Sequence, residues 1–236
     1  MEMQNVIAWL ERDRLFHMDL LESIRRGNCT EAHAEEGAVL LNTRSGISLL
    51  SAETKEDGER VLRMLGERPH CIVAHGEAAR DAVGSVVQDF VHADGCYQAS
   101  YLRPEPPEVP DVCRIVPYPI GEAQFVVDHY AMAHDLEHVR ETIRNGELFA
   151  AYVGEKLVGF IGYHNDGSMG KLEVLPEYRR QRIGTALEQY LIGDSMRRGW
   201  TPYCQIYTWN DASLRLQRRL GLEISPKILY WMFGDE

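Results

Sequence analysis

The chain has 236 residues, 44% of them hydrophobic and 26% charged, enough apolar material for one large core or two small ones. Its formal net charge of −11 argues against a nucleic-acid partner, because phosphate backbones bind basic surfaces, although a local positive site can still hold an anionic cofactor. Five scattered cysteines (Cys29, Cys71, Cys96, Cys113, Cys204) include no C-x-x-C pair, so neither a disulfide framework nor a zinc ribbon is expected. Met1-Glu2-Met3-Gln4 lacks a basic-then-apolar leader pattern, and no apolar run approaches transmembrane length. The expectation is a soluble, cytoplasmic protein with no membrane association.

In the first half, Ile7, Leu10, Leu15, Met18, Leu21 and Ile24 keep a helical stripe from about Asn5 to Arg26, ended by Gly27. Strands are expected at about Gly37–Asn42 and Ile47–Ser51, a helix near Lys55–Leu65, a strand at Cys71–Ala74, a helix near Glu77–Phe90 and a strand over Cys96–Leu102. No phosphate loop, metal cluster or catalytic spacing stands out here. Then come Pro104, Pro106, Pro107 and Pro110, four prolines in seven residues, which neither a helix nor an inner strand tolerates. They predict a stiff linker over 104–111 between an α/β domain, 1–103, and a second domain, 112–236.

The second half predicts a helix near Leu136–Asn145 ended by Gly146, then a three-stranded meander: Leu148–Val153, Leu157–His164 and Met169–Leu175. Asn165-Asp166-Gly167 makes its second turn. The meander runs into Pro176-Glu177-Tyr178-Arg179-Arg180-Gln181-Arg182 and then into a helix whose Ile183, Ala186, Leu187, Tyr190 and Leu191 share one face. Strand, arginine-rich loop and helix N-terminus in that order build an anion site from backbone N–H groups, helix dipole and guanidinium charge. A strand at Pro202–Tyr207, a helix capped by Asn210 and ended by Gly221, and a strand at Ile228–Phe233 complete the chain.

Two segments carry a family resemblance. Val174 to Leu187 resembles the pyrophosphate-binding motif of the GNAT N-acetyltransferase superfamily, and Asn210-Asp211-Ala212-Ser213 leading to Leu220-Gly221-Leu222 resembles its second cofactor motif. The order of elements over about Cys113–Phe233 matches as well. Leu175-Pro176-Glu177-Tyr178-Arg179 and Gly199-Trp200-Thr201-Pro202-Tyr203 are also similar to the C-terminal halves of glycine N-acyltransferases.

The resemblance implies an α/β (α+β) fold with a mixed, mostly antiparallel sheet flanked by helices; whether the first half, an α/β domain whose order of elements loosely follows half of that fold, is a degenerate repeat of it stays open. It implies an N-acyltransferase that uses acetyl-CoA as cosubstrate, needs no metal, and serves an amine-bearing small molecule or amino acid. A module that binds acyl-CoA without turnover is the alternative. The backbone N–H of Val174 or Leu175 would polarise the thioester carbonyl. Arg179, Arg180, Gln181, Arg182, Ile183, Gly184, Thr185 and Ala186 would cradle the pyrophosphate, and Asn210 and Ser213 would hold the pantetheine arm. Glu173 is the candidate base, with Tyr203 beside it in the acceptor pocket, where Tyr207 would share its face. Shaping that pocket, forming a homodimer and bracing the catalytic domain all stay open as roles for the first half.

The chain departs from the family pattern at two places. Arg180 and Arg182 stand where the loop commonly has glycine; an arginine there can offer its backbone N–H in the same way if its φ is negative, and its guanidinium can pair with a phosphate oxygen. Gln217 stands where many members place the tyrosine that protonates the departing thiolate. With a thiol pKa near about 8.5, the thiolate can leave unprotonated. His134-Asp135-Leu136-Glu137-His138 fits an H-x-x-E-H zinc pattern but has no third ligand in sight, and reads as a solvated helix start. His164 and Asp166 read as turn residues, and Arg215, Arg218 and Arg219 as a solvated helix face.

Overall fold

The computed structural model describes residues 2–66, 69–87, 90–133 and 135–234. The first part holds α1 (Met3–Leu10), α2 (Met18–Arg25), β1 (Cys29–Glu35), β2 (Ala38–Thr43), β3 (Ile47–Ala52), α3 (Lys55–Leu62), β4 (Cys71–His75), α4 (Gly76–Val86) and β5 (Phe90–Ser100). After it come β6 (Arg114–Pro117), α5 (Ala123–His129), α6 (Leu136–Arg144), β7 (Leu148–Val153), β8 (Lys156–Tyr163), β9 (Met169–Val174), α7 (Ile183–Arg197), β10 (Tyr203–Tyr207), α8 (Asp211–Leu220) and β11 (Glu223–Gly234). The helix expected over Asn5–Arg26 is two helices joined through a 3₁₀ turn at Glu11–Asp13. The helix expected to reach Phe90 ends at Val86; Gln88 and Asp89 lie outside the described residues, and Phe90 opens β5.

The chain folds as two compact units. One takes the residues up to Tyr101 together with those from Tyr203 on, and the other is Leu102–Pro202. The Pro-rich stretch, free of helix and strand, begins next to the first boundary. The stretch expected as one domain, 112–236, is divided at Pro202/Tyr203. The physical reason is strand pairing: β10 pairs with β5, and β11 lies between β4 and β5.

The first unit is a seven-stranded sheet in the order β1-β2-β3-β4-β11-β5-β10, antiparallel except for the β3–β4 pair. Side chains alternate across its strands. Leu40, Leu50, Ile72 and Ala74 pack under Val61 and Leu62 of α3 and Ala79, Ala82 and Val83 of α4. Val39, Leu41, Leu49 and Val73 pack with Val6, Leu10 and Leu20 of α1 and α2. Each buried leucine or valine contributes about 1.5–3 kcal/mol. Gly58 lets α3 and α4 meet, since a Cβ there would lie 2.7 Å from the Ala82 Cβ.

The second unit is the antiparallel sheet β6-β7-β8-β9. Leu148, Ala150 and Phe160 pack with Val126 of α5 and Val139 of α6, and α7 packs on β8 and β9. The order strand–strand–strand–helix–strand–helix–strand thus occurs twice along the chain, as β1 to β5 and as β7 to β11. The last strands of the two series lie side by side, each inside the other's neighbours.

A buried polar chain crosses the first unit. His17 donates through Nδ1 to Leu10 O (2.9 Å) and accepts at Nε2 from Ser51 Oγ (2.8 Å). His75 Nδ1 donates to Leu50 O (3.2 Å), and its Nε2 lies 2.9 Å from Asp19 Oδ1. Gln205 Nε2 donates to Asp19 Oδ2 (3.1 Å), and Trp231 Nε1 to Gln205 Oε1 (2.6 Å). Burial first, and then the nearby His75, push the His17 pKa down to about 4 from an ordinary 6.5. The folded state therefore favours neutral His17, so its contribution to stability is complete above pH 6.5 and is lost as pH falls through about 4. Urea midpoints measured between those limits should fall with pH in the wild type. His17→Gln should be less stable at neutral pH and show a shallower fall.

Candidate active site

The arginine-rich loop and the strand that feeds it lie within the second unit. Opposite Phe160 and Gly162 of β8, β9 places Glu173 and Gly170, so β9 holds one residue more than its partner: a bulge. Lys171 sits in that bulge at φ 50°. Pro176 then opens a 3₁₀ turn ending at Tyr178, and two further residues, Arg180 (φ 61°) and Arg182 (φ 65°), take the left-handed backbone. Among the described residues these three are the non-glycine residues with positive φ, and all fall within one stretch of twelve. Each such residue costs on the order of 1–2 kcal/mol. The condition of negative φ is not met: both arginines keep the positive φ that glycine adopts readily.

Arg182 is also the residue before α7. No side chain caps this helix and no acidic residue lies in its first turn, so Ile183, Gly184 and Thr185 offer N–H groups at the positive end of the dipole. Ala186 does not, because its N–H donates to Arg182 O at 2.9 Å. Arg180, Gln181 and Arg182 are exposed, Gly184 and Thr185 half-buried, and Ile183 and Ala186 face the core. The corresponding turn of the first series is different. Thr54 caps α3 by accepting from Asp57 N–H at 3.2 Å, and Glu56 and Asp57 fill its first turn.

The backbone groups expected to polarise the thioester are both engaged. Leu175 N–H donates to Val158 O (2.9 Å) in the sheet ladder. Val174 N–H donates to Glu173 Oε1 (3.0 Å). That oxygen also accepts from Arg179 Nη2 at 3.0 Å, while Arg179 Nε donates to Val174 O at 2.9 Å. Arg179 is therefore folded back on β9, not extended over the loop.

Beside the bulge lies a cluster that sequence reasoning did not find. Lys171 Nζ reaches Thr142 Oγ1 at 3.4 Å. Burial holds its ammonium below the ordinary pKa against the opposing pull of Glu147 and Asp166. Burial raises the Glu147 carboxyl, with Lys171 pulling it back. Loss of solvent and the charge of Lys171 bring His164 down to about 4, so it is neutral near pH 7. Only a bulge turns Lys171 toward α6, and the even alternation assumed for a strand conceals that.

The remaining predicted residues belong to the first unit. Asn210 Oδ1 accepts from Ser213 N–H (3.1 Å), so the pair forms the cap of α8. Tyr203 is only 1% exposed, with the Arg26 guanidinium 5.3 Å from its ring. Gln217 is buried as well. Trp209, 63% exposed, stacks on Tyr207 with ring centroids 5.3 Å apart. Arg215, Arg218 and Arg219 are exposed, as expected. Of the zinc pattern, His134 lies outside the described residues, and His138 Nε2 donates to Asn165 Oδ1 at 3.1 Å. Among the described residues no group of three or more His, Cys, Asp or Glu side chains is placed to hold a metal. No helix in them is long and apolar enough to cross a membrane.

Comparison with known proteins agrees with this geometry. Residues 117–222 match the sequence profile of the Acetyltransferase (GNAT) family. A GCN5-related N-acetyltransferase from Kribbella flavida is 13% identical with a TM-score of 0.59, over 92% of this chain and 95% of that one. One from Sphaerobacter thermophilus is 15% identical with a TM-score of 0.52, over 92% and 88%. A Drosophila protein is 15% identical with a TM-score of 0.64, over 84% and 74%. At such identities the structures attest the fold alone. No protein of curated function matches the chain. Over residues 117–222 the chain is thus similar to the GNAT acetyltransferase family in sequence profile, and the fold and the loop agree with that likeness.

Proposed function

We propose that the chain is an acyl-CoA-dependent N-acyltransferase that moves an acetyl group from acetyl-CoA to the primary amine of a small molecule or amino acid. One observation carries this reading: two arginines held in left-handed backbone directly before the uncapped start of α7. Strain of this kind persists where the surroundings over-determine it, and a path that aims successive N–H groups at one point is a nest for anions. The N–H groups of Ile183, Gly184 and Thr185 receive the pyrophosphate, and Arg180 and Arg182 add charge from outside.

The ammonium form of the acceptor gives up one proton, the neutral amine attacks the thioester carbonyl, and the nitrogen passes its second proton to solvent or to the departing sulfur as the amide forms. The new C–N bond forms, the C–S bond breaks, and the CoA thiolate leaves. Glu173 is the base, acting directly or through a water. The engaged N–H groups of Val174 and Leu175 and the buried Gln217 and Tyr203 favour one rival reading, a module that holds acyl-CoA without turnover.

Calorimetric titration with acetyl-CoA and CoA should give micromolar binding. Gly184→Trp should weaken it at least tenfold with the fold intact, because a Cβ at Gly184 makes only ordinary contacts, 3.9 Å from the Leu172 and Val174 side chains, and an indole there crowds the start of α7. Thiol release with a panel of primary amines should follow, and should fall in Glu173→Gln. Binding without thiol release from any amine points to the module, and absence of binding by folded wild type refutes the acyl-CoA reading. A second comparison reads the strain. Arg182→Ala and Arg182→Gly lose the same charge, but only glycine relaxes at φ 65°. Arg182→Gly should therefore melt about 2–4 °C above Arg182→Ala, with equally weakened CoA binding.

A further inference from the structure

Three groups that the proposed reaction needs are consumed by one another at the end of β9. The Val174 N–H, placed to polarise a carbonyl, is covered by Glu173 Oε1 at 3.0 Å. The Glu173 carboxylate, placed to take a proton, is held by Arg179 Nη2 at 3.0 Å. The Arg179 guanidinium, next to the anion loop, is anchored through Nε to Val174 O at 2.9 Å. This lock is not sealed in: the Arg179 side chain is 57% exposed and that of Glu173 24%. Arg179 directly precedes Arg180, the first left-handed residue of the loop, so an anion seated there arrives beside this guanidinium.

Glu173 offers Arg179 a single oxygen and one negative charge. A pyrophosphate offers several oxygens and a higher charge, in a geometry that suits the two-pronged guanidinium. We propose that Arg179 is a positioning residue that couples cofactor arrival to catalysis: the pyrophosphate draws its guanidinium off Glu173, and the freed carboxylate swings away from the Val174 N–H toward the acceptor amine. One event then uncovers the donor for the carbonyl oxygen and releases the base. Before acyl-CoA arrives, both stay quenched. This inference rests on the acyl-CoA reading and adds to it how the site is switched on.

The test is calorimetric titration with CoA, and separately with pantetheine, of wild type, Glu173→Gln, Arg179→Gln and the double variant, with matched melting curves as fold controls. Removing the Glu173 charge leaves Arg179 without a competitor, so Glu173→Gln should bind CoA about two- to fivefold tighter while its amine-dependent turnover falls. Arg179→Gln should weaken CoA binding, and adding Glu173→Gln to it should bring no gain. Pantetheine, lacking the pyrophosphate, should not distinguish wild type from Glu173→Gln. The wild type alone gives a readout that needs no variant: the Val174 amide resonance should shift with CoA and stay in place with pantetheine. CoA binding of equal strength in wild type and Glu173→Gln, with a stationary Val174 amide, overturns the lock and leaves the acyl-CoA reading standing. No CoA binding by any of the folded proteins removes that reading itself, and the lock with it.

Discussion

The local structure of the candidate site turns on the unmet N–H groups at the start of α7. Helix starts without a side-chain cap also occur at α1, α2, α4 and α5. What sets α7 apart is the approach to it: a bulge, a proline turn and two arginines forced into a backbone region that L residues avoid. A strand leading straight into a capped helix is the cheaper solution, and β3 leading into α3 shows it within the same chain. The second series departs from that solution at three residues, each costing on the order of 1–2 kcal/mol. All three departures lie on β9 and the loop that follows it.

Much of this was legible in the sequence because it is local. Periodicity and turn residues place β7, β8, β9, α7 and α8 to within a residue or two, since apolar spacing and terminators such as Gly146, Gly199 and Gly221 act over a few positions. β1 escaped: Cys29-Thr30-Glu31-Ala32-His33-Ala34-Glu35 lies at the sheet edge, where little apolar alternation is required of it. Likewise, nothing in the apolar stripe from Ile7 to Ile24 marks the interruption after Leu10. The long-range pairing was illegible for another reason. That β11 lies between β4 and β5, and β5 between β11 and β10, is a choice of partner, and one strand's alternation fits any partner of suitable shape.

The site divides along the same line. The residues of the loop were readable as a motif, but the direction of each group was not. Arg179 was counted with the cradle on the family resemblance, yet its guanidinium turns back to β9 because a carboxylate and a carbonyl oxygen wait there. Glu173 was chosen for its place on the strand, and the same place lets it reach the next N–H along. Tyr203 was chosen from strand alternation, which names a face but not what covers it; Arg26, itself paired with Glu22, covers it. Side-chain direction at a site depends on competing partners, and these come together only in the fold.

The first series supplies the complementary case. Its strands β3 and β4 stay paired in parallel from Ile47 with Cys71 to Ser51 with His75. Its equivalent helix start is capped by Thr54 and carries Glu56 and Asp57, which leaves less room for an anion and repels it as well. His17, bonded to Ser51, and His75, beside Asp19, fill the interior at the end of those two strands. The first series has a structural part in the sheet all the same. By lending β5 to the place between β11 and β10, the first series gives the last strand of the second series a partner on each side. The polar chain from His75 through Asp19 and Gln205 to Trp231 runs from β4 to β10 and β11. The two helix starts differ accordingly: α3 spends an N–H group on its own Thr54, and α7 has no side-chain cap and no acidic residue in its first turn.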